Sequence, residues 1–235
     1  MKLVRPVRIA PGVYQLRAIG AKVTALFGED GVVLVDSGGR GSVGLISAGL
    51  RALGSSLEMV RLIVLTHYHP DHAGNLSKLV DATSAKVAVH RQEAAIINGD
   101  EPAPNPYRHS LVAGLTKPFI NKLYGGPVAV DYPLEDGDSL PDLGHVQAIH
   151  TPGHTSGSLC LYVAPHKTLI VGDALRHRFG RLAPPAASVT RDPVEAMKSL
   201  EKLLALDFDI ICFGHYPPLR NDARAALQRL VQKSG

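Results

Sequence analysis

The densest chemistry in this chain is the run Thr66-His67-Tyr68-His69-Pro70-Asp71-His72, with three imidazoles and a carboxylate within six residues. Neutral imidazole and carboxylate suit zinc and similar borderline ions, and each must surrender a proton to bind. On an extended loop, positions 67, 69 and 71 alternate, so His67 and His69 point the same way. Pro70 and the small Ala73-Gly74 pair predict a helix beginning here, with Asp71 and His72 near its start. Three further residues of the same chemistry stand far apart: His154 after Pro152-Gly153, Asp173 after Gly172, and His215 after Gly214. Each comes just after an apolar run, and the preceding glycine lets the backbone approach a shared centre. Taken singly, each reads as a cap or a surface residue. With the first cluster they supply five histidines and two carboxylates, enough for two metal ions sharing one carboxylate.

The elements that must position these residues alternate between strand and helix patterns. Val13–Ile19, Val23–Phe27 and Val32–Val35 read as sequential strands separated by Gly-rich turns. A helix from Ser42 to Gly54 carries Val43, Ile46, Leu50 and Leu53 on one face. Arg61–Leu65 and Lys86–Val89 are continuous apolar runs of the kind buried on both faces. The proline-rich segment 98–127, with Leu111, Leu115, Ile120 and Leu123 near helical spacing, reads as an insertion able to form a lid. Strands return at Val146–Ile149, Ser158–Val163, Thr168–Val171 and Asp209–Phe213. Asp192-Pro193-Val194-Glu195 starts a helix with Val194, Met197, Leu200 and Leu204 on its apolar face, and Asp222 caps a last helix. No break in composition divides the chain, so the expectation is one mixed α/β domain over residues 1–235.

Composition narrows the partners. The chain has 235 residues, 45% hydrophobic and 20% charged, which suits a globular protein and excludes a disordered or collagen-like one. No apolar run approaches the ~18 residues of a membrane span, and Met1–Pro6 lacks a signal-peptide pattern. Cys160 and Cys212 lie in apolar runs without metal-type spacing, so they read as core thiols in a reducing cytoplasm. A net charge of +4 with no basic tract argues against nucleic acid as a partner.

The ordered set His67, His69, Asp71, His72, His154, Asp173 and His215 resembles the metallo-β-lactamase superfamily, over roughly Val13 to Pro218. The resemblance implies a four-layer αββα sandwich with metals at one edge between two sheets. By the family pattern, His67, His69 and His154 hold one metal, Asp71, His72 and His215 the other, and Asp173 bridges both. Asp36 matches a structural aspartate near the site. The remaining histidines, His90, His109, His145, His150, His166 and His177, match no ligand position and read as surface or capping residues.

The implied cofactors are two divalent ions, zinc first, with manganese or iron as alternatives. The implied reaction is hydrolysis by a hydroxide between the metals, with Asp71 also handling the leaving-group proton. Asp173 stands where many true β-lactamases carry Cys, and His69 where the diiron flavoproteins carry Glu. Quorum-signal lactonases often place Tyr where Arg176 stands, and glyoxalase II usually adds a helical domain beyond the position of His215. RNA-processing members carry long insertions or a tRNA-binding arm, and neither is evident. The expectation is therefore a stand-alone, glyoxalase-II-like hydrolase of a small anionic thioester, lactone or other ester. Arg176, Arg178 and Arg181 are candidates to hold the substrate anion. Tyr68 and Tyr216 are candidates to contact an oxyanion. Two competing readings remain: a mononuclear iron persulfide dioxygenase of the same superfamily using His67, His154 and Asp173, and a nuclease or nucleic-acid-binding module.

Overall fold

Val32-Val33-Leu34-Val35 is apolar at every position because both of its faces are covered. Val33 and Val35 join a core that also holds Val146, Ala148, Leu161 and Ile170, whereas Val32 and Leu34 pack with Ile46, Leu50 and Leu79. The same division recurs at Leu62 and Val64 on one side and Ile63 and Leu65 on the other. These continuous runs thus mark strands sandwiched between a second sheet and a helical layer.

The computed structural model describes residues 5–107, 114–116 and 122–234. Its first sheet runs in sequence order through β1 (Val7–Ala10), β2 (Val13–Leu16), β3 (Val23–Phe27), β4 (Val32–Val35), β5 (Val60–Val64), β6 (Lys86–His90) and β7 (Tyr132–Leu134). Strands β1 to β4 are antiparallel neighbours, and β4 to β7 are parallel. The second sheet contains β8 (Ser139–Leu140), β9 (Leu143–His150), β10 (Leu159–Val163), β11 (Thr168–Ile170), β14 (Ile210–Cys212) and β15 (Leu219–Arg220), in the order β15-β14-β11-β10-β9-β8. Between β11 and β14 in the chain, β12 (Arg176–Arg178) and β13 (Arg181–Ala183) form a separate ribbon.

Helices α1 (Val43–Ala52), α2 (Pro70–Ala73), α3 (Leu76–Thr83) and α4 (Ala94–Asn98) accompany the first sheet, and α5 (Pro193–Leu203) and α6 (Ala223–Ser234) the second. Leu200, Leu203 and Leu227 pack with Ile149, Cys160, Leu169 and Ile211 in a third core. Helix, sheet, sheet and helix therefore stack as an αββα sandwich.

Several boundaries differ from the sequence expectation. The strand expected to reach Ile19 ends at Leu16, and residues 17–22 turn toward the site. Val194 is 68% exposed instead of facing the core, because the Asp192 cap and Pro193 set a helix whose buried face is Ala196, Ser199, Leu200 and Leu203. Strands β1, β7, β8, β12, β13 and β15 go beyond the sequence expectation, being two to four residues long and, β8 apart, carrying charge or proline. In the 98–127 segment, Leu111 and Ile120 lie outside the described residues, as does His109, and Leu115 and Leu123 are exposed.

Candidate metal centre

Parallel pairing brings chemistry to one edge. β4 is parallel to β5, and β11 is parallel to β14, while β9 is antiparallel to β10 and β10 to β11. Strands β9, β11 and β14 therefore share one direction, and their C-terminal ends open toward the same side. Asp36 follows β4, His67 follows β5, His154 follows β9, Asp173 follows β11 and His215 follows β14. Ligand sites at strand C-termini are the general habit of such sheets.

Close backbone approach requires glycine at two of these ends. A Cβ on Gly172, whose φ is +48°, would lie 2.7 Å from Thr66 Oγ1, and one on Gly214 would lie 2.7 Å from His72 Cε1. The loops are also tied directly, with Gly214 N donating to Gly172 O and Leu159 N to Thr66 O.

Two groups of ligand-type side chains result. His67, His69 and His154 are buried together, and Asp71, His72, Asp173 and His215 form the second group; within each, one donor atom per residue lies within 4.8 Å of the others. His154 Nε2 stands 3.0 Å from His69 Nδ1. In the second group, His215 Nε2 is 3.0 Å from Asp71 Oδ2 and 3.3 Å from Asp173 Oδ1, and His72 Nε2 is 3.4 Å from Asp173 Oδ1. The other oxygen, Asp173 Oδ2, is 3.8 Å from His154 Nε2. One carboxylate thus faces both groups with different oxygens.

Outer partners orient the rings. Asp36, with φ of 67°, accepts from Thr66 N at 2.8 Å and from Thr66 Oγ1 at 2.9 Å, and its Oδ2 lies 2.8 Å from His72 Nδ1. With Nδ1 donating to the carboxylate, His72 Nε2 presents its lone pair to the second group. Thr190 Oγ1 meets His154 Nδ1 at 3.3 Å in the same role.

Electrostatics separates the two groups. Burial, then the neighbouring imidazoles, holds His67 well below the usual histidine range. Burial, then His154, lowers His69 to about 3, and burial lowers His154 to about 4. The first group is therefore a set of neutral imidazoles. Burial opposes charge on His72, but Asp36 and Asp173 outweigh it and raise its pKa. Hydrogen bonds that it donates to Asp173 and Asp71 raise His215 to about 9. Burial would raise both carboxyls, yet His215 and His72 hold Asp71 near 2, and His72 and His215 hold Asp173 well below its ordinary value.

Residues 19–215 match the family model of the metallo-beta-lactamase superfamily. The chain belongs to the metallo-β-lactamase superfamily. It is 30% identical over 202 residues to the probable metallo-hydrolase YflN of Bacillus subtilis, covering 80% of this chain and 76% of that protein. The family protein TTHA1429 of Thermus thermophilus superposes with a TM-score of 0.76 at 26% identity, over 97% of this chain and 80% of that one. The acyl-coenzyme A thioesterase MBLAC2 of Gallus gallus is 32% identical over 127 residues, only 48% of this chain and 41% of that protein. The superfamily fold and its metallo-hydrolase relatives make this chain an enzyme of the hydrolase type.

A cleft of about 390 Å³ opens over the two groups of this superfamily member. His69, Asp71 and Asp173 form part of its wall, with Ile19, Tyr107 and Leu123 as apolar lining and Arg40 as its cation among the described residues. Arg40 donates to the Lys122 carbonyl, which ties the Gly38–Gly41 turn to the insertion. Sequence reasoning missed Arg40. Arg176, Arg178 and Tyr216 are not among the described residues lining that cleft. Arg176 Nε donates to Pro184 O, Arg178 lies over the Phe179 ring, and Tyr216 packs edge-on against Phe213. Tyr68 is buried against the edge of the His69 ring.

The remaining histidines divide. His145 is exposed, and His166 and His177 are partly buried. His90 differs from the surface expectation: it is buried and its ring stacks on His150 at 3.8 Å. It does cap a short turn, accepting from Gln92 N.

Proposed function

We propose that the chain is a dinuclear metal-dependent hydrolase of esters or thioesters of small anionic acyl compounds, with lactones as a related class. The observation that carries this reading is Asp173, whose Oδ1 faces His72 and His215 while its Oδ2 faces His154. The donor set fits divalent ions. His67 Nε2 is buried without a hydrogen-bond partner among the described residues, which is costly unless a further ligand satisfies it. His67, His69 and His154 would hold one ion, and Asp71, His72 and His215 the other, with Asp173 shared. Imidazole and carboxylate without thiolate favour zinc, with manganese and iron as alternatives.

Two ions so placed supply Lewis-acid polarisation and a water-derived nucleophile at neutral pH. The chain's own groups do the rest. Asp36 and Thr190 fix the imidazoles, so the donor set is organised before substrate arrives. Asp71, partly exposed on the cleft wall, would take up the proton that the attacking water releases and pass it to the leaving group. Ile19, Tyr107 and Leu123 exclude water from the acyl group. Arg40 gives this cleft a guanidinium for a carboxylate or phosphate, in preference to Arg176 and Arg178, which are not among its described lining residues. The thioesterase named among the relatives supports thioesters as the first class to assay. Buried free Cys160 and Cys212 support a reducing, cytoplasmic setting.

The test is elemental analysis of the purified chain beside a panel of thioesters, lactones and phosphodiesters. About two ions per chain with hydrolysis of anionic thioesters or esters is expected. One iron per chain with substrate-dependent oxygen uptake would replace this reading with the persulfide dioxygenase, which needs only His67, His154 and Asp173.

A further inference from the structure

Glu93 is the acidic side chain that the proposed chemistry does not use and that the fold buries completely, with 0% of its surface exposed. It ends the turn after β6 and directly precedes α4, without a capping bond from its side chain. Its Oε1 accepts from the Thr155 hydroxyl and, at 3.1 Å, from Gly157 N. Its other oxygen, Oε2, is buried without a hydrogen-bond partner among the described residues. Thr155 Oγ1 continues to Ser158 Oγ at 2.7 Å, and Thr155 N donates to Ser158 Oγ at 3.0 Å. A Cβ on Gly157 would stand 2.6 Å from Glu93 Cγ, so the glycine keeps open the space that this side chain fills.

The placement of these contacts matters more than their number. Thr155 directly follows His154. One carboxylate from β6–α4 therefore fixes the loop that delivers His154 to the three-histidine group. His154 joins that group from a distant part of the chain: it is 85 residues from His69, yet their facing nitrogens stand 3.0 Å from one another. Burying a carboxylate is unfavourable, and burial pushes this one up to about 7. A fold that keeps it there without an ion pair gains something that an apolar residue would not provide.

We propose that Glu93 is a positioning residue that fixes the 151–158 loop and so sets where His154 stands in the three-histidine group for its metal. The inference rests on the metal-binding reading above. It acts by accepting hydrogen bonds: the carbonyl of a glutamine would still accept from Thr155 and Gly157, whereas alanine would leave Gly157 N buried without a partner and let the Thr155 hydroxyl turn to Ser158 alone. Outer partners of metal ligands commonly govern ten- to hundredfold in affinity.

The experiment titrates the metal-free chain with zinc against a chromophoric chelator, and with cobalt to follow the visible spectrum of the three-histidine group. Wild type should bind two ions. Glu93→Ala should weaken one of them ten- to hundredfold and change the cobalt spectrum, leaving the other within about threefold. Glu93→Gln should restore wild-type affinity within about threefold. Thr155→Val, which removes one donor and keeps the carboxyl, should shift the same ion in the same direction, and it decides the matter if Glu93→Ala fails to fold. Unchanged zinc affinities in Glu93→Ala and Thr155→Val, with wild type binding two ions, would overturn the positioning role and leave the metal reading intact. A glutamine variant as impaired as alanine would overturn it too. A wild-type chain that binds no zinc removes both.

Discussion

Replacing Asp36 with Asn tests how the second group is organised without touching any proposed ligand. Asn keeps the size of the side chain and tolerates the φ of 67° at this position, so the turn itself should persist. Its carbonyl can still accept from Thr66 N and Oγ1, which now bond Asp36 at 2.8 and 2.9 Å. Its amide group then faces His72 Nδ1 across 2.8 Å, donor against donor. Two outcomes are open to the ring. Keeping its proton on Nδ1 leaves a buried donor unsatisfied, at about 1–3 kcal/mol. Moving the proton to Nε2 restores the hydrogen bond but removes the lone pair that faces Asp71, Asp173 and His215. Either way the second ion should bind about ten- to hundredfold more weakly, about 1.4–2.7 kcal/mol, with the three-histidine group changed little. Chelator competition at pH 7.5 measures the two affinities, and imidazole nitrogen chemical shifts report the tautomer of His72. An Asn variant that retains both ions at wild-type affinity, or loses the three-histidine ion instead, would refute this account of Asp36.

Asp173→Asn should lower metal content from two ions to one and reduce hydrolysis steeply while circular dichroism stays unchanged, because an amide cannot bridge as a carboxylate does; elemental analysis checks it, and two retained ions with full turnover would count against a shared carboxylate. Arg40→Ala should raise KM for anionic substrates by about tenfold with kcat little changed, the pattern of lost uniform binding, and steady-state kinetics on matched neutral and anionic esters separates this from a general defect. Glu93 carries the pH prediction. Its carboxyl titrates at about 7 in the folded chain against an ordinary 4.5, so the folded form holds the proton more tightly; that contribution is full below pH 4.5 and lost as pH rises through 7, about 3 kcal/mol in all. Urea unfolding of metal-free wild type and Glu93→Gln should therefore diverge in slope between pH 4.5 and 7, with the glutamine variant the flatter of the two.

The proposed ligands were legible because each stands at the end of an apolar run, and strands sharing a direction deliver their C-terminal residues to one edge. His67, His154, Asp173 and His215 needed no knowledge of loop paths beyond that. The α2 start was equally local, since Pro70 fixes the first turn and places Asp71 and His72 there. Residues that act through distant partners carried no such mark. Arg91-Gln92-Glu93 reads as a polar turn, and the partners that make Glu93 a buried clamp lie 62 and 64 residues further along the chain. His90 reads as a surface residue until β6 is set beside the end of β9 and its ring meets His150. The arginines show the converse failure. Arg176, Arg178 and Arg181 are close in sequence and share one ribbon, where Arg178 pairs with Arg181, but none is among the described residues lining the cleft and Arg176 donates to Pro184 O. Arg40, alone among glycines, reaches the cleft because those glycines let the turn fold against Ile19 and the insertion. Local density of charge is thus a weaker guide to the substrate side of this site than the position of a single residue after a strand. The metal side follows from strand polarity, which sequence encodes over a few residues. The substrate side depends on the packing of turns and the insertion, which it does not.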